Sequence, residues 1–66
     1  MKIKYDKEVD AAYIYIVDYI AEGEAVKIIE LNEDIILDFD KEGKLLGIEV
    51  LNASRVLNRE LLVSSD

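Results

Sequence analysis

The sequence predicts an α+β domain: a four- to five-stranded antiparallel β-meander with one C-terminal helix packed on one face. Three observations carry this. Residues 35–50 read IILDFDKEGKLLGIEV, two apolar runs around Asp40-Lys41-Glu42-Gly43, which is the pattern of a β-hairpin. A second turn, at Asn32-Glu33, agrees with that hairpin about which side chains turn inward. From Asn52 onward the apolar period changes to that of a helix. The 66 residues are read as one small domain, 1–66.

Gly43 suits the positive φ that closes a tight loop. A four-residue loop, Asp40 to Gly43, pairs Phe39 with Lys44, Leu37 with Leu46 and Ile35 with Ile48. Ile35, Leu37, Phe39, Leu46, Ile48 and Val50 then share one face. A three-residue loop would set carboxylates on that face, so the four-residue loop is preferred. Before it, Ala25 to Leu31 forms a strand. The Asn32-Glu33 turn pairs Ile28 with Leu37, Val26 with Phe39 and Lys27 with Asp38, leaving Glu30 on the apolar face opposite Ile35.

Lys2 to Tyr5 alternates and reads as a first strand, with Ile3 and Tyr5 on one side. Asp6 and Asp10 bound a charged turn in which each can bond nearby backbone N–H groups. Ala11 to Val17 is a second strand, its aromatic and β-branched alternation outweighing a helix. Tyr13, Tyr15 and Val17 point one way, and Ala12, Ile14 and Ile16 the other. Gly23 is the turn residue of the next connection. Asn52 caps a helix of roughly ten residues whose stripe is Ala53, Val56, Leu57 and Leu61, and Val63 to Asp66 is expected to fray.

One helix covers one face, so Ile29, Leu31, Ile36 and Leu45 are expected on an uncovered one. With Tyr13 and Tyr15 they are the interface candidates, and a homo-oligomer, first a dimer, is expected. A chain this short buries only roughly 60% of its unfolded surface, which adds weight to association.

Composition narrows the function classes. There is no cysteine and no histidine, so disulfides, thiol catalysis and Cys or His zinc sites are excluded. No nucleophile–base pair or phosphate loop is present, and a non-enzymatic protein without a cofactor is expected. The net charge of −7 disfavours nucleic acid and anionic membranes and suits a basic protein partner. No apolar run is long enough to cross a membrane, the charged N-terminus is no signal peptide, and a cytoplasmic location is expected.

Two acidic groupings invite a cation. Asp38-Phe39-Asp40-Lys41-Glu42-Gly43, with Glu49 further on, approaches a calcium-loop pattern but has strand composition on both flanks, so a plain turn outweighs it. Asp34 and Glu49 are expected opposite one another beside Asp38, where like charges need a lysine, an arginine or a cation. Asp34, Asp38, Asp40 and Glu49 are therefore the candidate metal ligands. Arg55 and Arg59, four apart, are expected on one helix face, bonding sheet carboxylates or an acidic partner.

Tyr5-Asp6, Asp10-Ala11 and Tyr13-Ile14, followed by Asp38, Asp40, Gly43 and Gly47-Ile48-Glu49, resemble a small prokaryotic domain of unknown function, the family numbered 2283. The resemblance spans roughly residues 1 to 58. It implies a small cytoplasmic domain without established activity and supplies no catalytic residues. Such domains can sit beside toxin-like partners, which implies an antitoxin-like role as the alternative.

Overall fold

A computed structural model describes residues 1–65. Five strands precede two short helices: β1 (Lys2–Asp6), β2 (Ala11–Tyr15), β3 (Lys27–Glu30), β4 (Ile35–Phe39), β5 (Leu45–Leu51), α1 (Ala53–Val56) and α2 (Arg59–Val63). All pairings are antiparallel, and the sheet order is β1-β2-β5-β4-β3. The α+β class is as the sequence predicts. The order is not a straight meander, because β5 lies between the hairpin β1–β2 and the hairpin β3–β4. The connection from Ile16 to Val26 is too long for a hairpin loop, which leaves β2 free to pair with β5.

Both predicted registers are corrected. In the β4–β5 hairpin, Asp40 N–H donates to the Lys44 carbonyl and Gly43 N–H to the Asp40 carbonyl, both at 2.9 Å. The Asp40 carboxylate accepts from the N–H groups of Glu42 and Lys44, so this side chain sets a loop one residue shorter than expected. Phe39 then pairs with Leu45. A bulge follows, so that Asp38 meets Gly47, Leu37 meets Ile48 and Ile35 meets Val50. Leu46, the extra residue, is buried. One inserted residue restores the parity the shorter loop would have lost, and the apolar face survives.

In the β3–β4 hairpin the Asn32 side-chain oxygen accepts from Asp34 and Ile35 N–H groups, making a loop one residue longer than expected. Ile29, not Ile28, therefore meets Leu37. Lys27 meets Phe39, Ile28 meets Asp38 and Glu30 meets Ile36. The slip turns Glu30 away from the apolar face, but it turns Ile28 away as well and brings Ile29 there instead.

Directly paired residues share a face. One face carries Ile3, Tyr5, Ala12, Ile14, Ile48, Val50, Leu37, Ile35 and Ile29. The helices pack on its β1–β2–β5 half, where Ala12, Ile14, Val50 and Ala53 form the buried cluster, flanked by Ile3, Tyr5, Val56, Leu57 and Leu62. The single predicted helix is broken at Leu57, which is extended (φ −102°, ψ 151°), and Asn58 starts α2. The break brings Leu62 rather than Leu61 against the cluster. Val63 closes α2, whereas Asp66 lies outside the described residues.

Candidate interaction site on the sheet

Four features can contact something outside the chain or organise what does. The first is the edge strand β3. All of its residues are exposed, and with its neighbours it presents Val26 (60%), Ile28 (64%), Ile29 (41%) and Leu31 (61%) to solvent. β4 beside it is half-buried along its whole length. The helices do not reach this half of the sheet. Ile29 and Leu31 are thus exposed as expected, but on the helix-bearing face, a consequence of the slipped register. Ile36 lies on the open face and Leu45 beside Phe39, both only half-exposed.

The second feature is the open face. Tyr13 pairs with Glu49, and Tyr15 with Gly47. The Tyr13 ring crosses β5 above Gly47, and its hydroxyl donates to Asp38 Oδ2 on β4 at 2.7 Å. A β-carbon on Gly47 would stand 2.6 Å from Tyr13 Cζ, so glycine is what permits this crossing. Partial burial and the Asp38 carboxylate push the Tyr13 hydroxyl above the ordinary phenol range. Tyr15 meets Tyr13 edge to face, with ring centroids 4.8 Å apart, and Lys2 Nζ lies 4.6 Å from the Tyr15 centroid. A shallow hollow beside them is lined by Lys4, Asp6, Lys7, Glu8, Ala11 and Tyr13, whose mixed charges set up no field of one sign.

Two aspartates, from two different turns, hold the start of α1. Asp10, in the left-handed region (φ 53°), accepts Ser54 N–H at 3.0 Å, Ser54 Oγ at 2.7 Å and the Tyr5 hydroxyl at 2.7 Å. Its carbonyl accepts Ala53 N–H at 2.9 Å. Asp10, not Asn52, therefore caps the helix. The hydrogen bonds from Tyr5 and Ser54 hold the Asp10 carboxyl below the usual range, and Asp10 in turn raises the Tyr5 hydroxyl. Asn52, itself left-handed (φ 54°), gives its side-chain amide to Asp34 Oδ1, and Arg55 bonds Asp34 Oδ2, each at 2.9 Å.

The four candidate metal ligands occupy four separate settings. Asp34 holds Asn52 and Arg55, Asp38 holds Tyr13, and Asp40 caps its own turn. Glu49 faces Tyr13 and Ile36 rather than Asp34. Among the described residues no three acidic side chains gather around one point as a cation requires. Arg55 reaches a sheet-side carboxylate as expected, but the helix break puts Arg59 on α2, so the two arginines share no helix face.

Residues 2–54 match the family described as Protein of unknown function (DUF2283). The chain belongs to that family. The DUF2283 match takes in all five strands, Asp10 with Ser54 and Asp34 with Asn52, and ends one residue short of Arg55. An uncharacterised protein of Methanocaldococcus jannaschii is 42% identical over 59 residues, covering 88% of this chain. The chain spans 46% of that relative's length. No solved structure matches the chain. No helix is long and apolar enough to cross a membrane among the described residues.

Proposed function

We propose that this DUF2283 chain is a non-enzymatic module that self-associates, with a homodimer as its first assembly. The observation that carries this is the apolar edge strand: Ile29 and Leu31 stand exposed on the helix-bearing face beyond the helices, and Ile28, with Val26 near it, stands exposed on the other side of the same edge. The surface area points the same way. A folded monomer of 7.5 kDa is expected to expose about 4,250 Å². This chain exposes 4858 Å². The excess is about 600 Å² over the whole chain.

Sedimentation velocity over a micromolar to near-millimolar series tests it. Dimer should accumulate with concentration, and the Ile28→Lys, Leu31→Lys double variant should remain monomeric with an unchanged circular-dichroism spectrum. A wild-type monomer throughout the series would overturn the reading.

A second reading rests on charge. The chain carries 15 acidic and 8 basic residues, and among the described residues a single ion pair, Arg55–Asp34, uses one of these carboxylates. Such a surface suits a small basic protein, in the manner of an antitoxin. A stoichiometric basic protein that co-purifies from native extract and dissociates in high salt would favour it.

A further inference from the structure

We infer that the dimer forms by antiparallel pairing of β3 with β3 of a second copy, about a two-fold axis at Ile29, giving one continuous ten-stranded sheet. This rests on the self-association reading and adds its geometry. β3 is bonded on one side only, to β4. Leu31 N–H donates inward to the Ile35 carbonyl at 2.8 Å. By antiparallel alternation, Ile29 also turns its N–H and C=O toward β4, while Ile28 and Glu30 turn theirs outward.

The two outward residues are matched to each other. An axis at Ile29 sets Ile28 opposite Glu30 of the second copy, and the reverse. Each outward N–H then meets an outward C=O, making four hydrogen bonds with no group left over. An axis at Ile28 is poorer. It sets Glu30 opposite Val26, whose N–H already donates to the Phe39 carbonyl at 3.0 Å, so the Glu30 carbonyl would lack a donor.

The side chains agree. Ile29 meets its own copy on the helix-bearing face, extending the row begun by Leu37. Lys27 lies opposite Leu31, and its aliphatic stem covers a side chain that is 61% exposed in the single chain. Closure by a two-fold axis leaves no unpaired β3 edge from which a fibre could grow. One cost is built in: the two Glu30 residues become diagonal neighbours on the open face, their backbone positions roughly 7–8 Å apart.

The absence of cysteine gives a clean test. Opposed residues of a non-hydrogen-bonded antiparallel pair have Cα atoms about 4.5 Å apart, inside disulfide range. Full-length Ile29→Cys, Ile28→Cys and Tyr19→Cys chains would be oxidised mildly at equal concentration, beside sedimentation of the wild type. Ile29→Cys should form covalent dimer about tenfold faster than Tyr19→Cys, an exposed position elsewhere, because pairing raises the local thiol concentration. Glu30→Gln, which leaves Ile29 intact, should tighten the dimer several-fold at low salt.

A wild-type dimer in which Ile29→Cys reacts no faster than Tyr19→Cys would overturn the edge pairing and leave self-association standing. Fastest reaction at Ile28→Cys, or no tightening by Glu30→Gln, would overturn this register. A wild-type monomer would remove both proposals.

Discussion

Gly47→Ala adds one methyl group where the Tyr13 ring crosses β5. The new carbon would sit 2.6 Å from Tyr13 Cζ and Cε2, well inside contact distance. Gly47 is not among the positive-φ residues, so its backbone accepts alanine and the effect is steric. The ring must lift, and the 2.7 Å bond to Asp38 is lost with it. Overpacking of this kind costs roughly 1–3 kcal/mol. A hydrogen bond to a half-exposed carboxylate adds about 1 kcal/mol. Removing a strand glycine returns about 0.5–1 kcal/mol. The balance is a loss of roughly 2 kcal/mol, which for a domain of this size lowers Tm by about 8–16 °C. Urea unfolding at fixed protein concentration, in a cycle with Tyr13→Ala, isolates the cause. Once the ring is gone, Gly47→Ala should be neutral or stabilising. An equal cost in both backgrounds would refute the crossing as the reason for glycine.

The remaining predictions concern the grips on α1 and the same tyrosine. Asp10 has a lowered folded pKa, so its contribution is present above the ordinary aspartate value of about 3.9 and is lost as pH falls through the folded value. Asp10→Ala should therefore flatten the acid limb of the stability–pH curve and speed hydrogen exchange in α1 at neutral pH. Arg55→Ala should cost less than about 1 kcal/mol in urea unfolding, because the arginine is largely exposed. Asp34→Ala should cost more, since it also releases Asn52. Tyr13 has a raised folded pKa, so its contribution is complete below the ordinary phenol value of about 10 and declines above it. Ultraviolet titration should show two late-ionising phenols in the wild type, Tyr5 and Tyr13; the later one should be absent in Tyr13→Phe and shifted downward in Asp38→Asn, leaving the Tyr5 phase unchanged.

The inward face of β4 and β5 is legible because it rests on period-two alternation; that of β3 is not, because the slipped register puts Ile29 on the helix-bearing face in place of Ile28. Loop lengths were not legible. They depend on whether Asp40 and Asn32 turn their side chains back onto the chain, and alternation does not record that. Each differs by one residue from the loop that alternation alone suggests. The bulge at Leu46 offsets the first difference, and the second exchanges the faces of all β3 side chains, Ile28 and Glu30 included. The helix period holds only through Val56; Leu57 is extended, and Asn58, a better starter than interior residue, begins a new helix. The Tyr13–Asp38 contact left one sign, a lone glycine inside an apolar strand. Asp10 left none, because its bond to Ser54 joins residues 44 apart in sequence.

The strand order has a bearing on how the chain folds. Strand β5 is central in the sheet yet the last strand to leave the ribosome. Until it emerges, the two hairpins have no common neighbour, and each holds a bare inner edge. Closure then depends on distant pairings such as Ala12 with Val50, which form slowly. During that interval a nascent chain is most vulnerable to strand exchange with another, so crowded synthesis is where misassembly would concentrate.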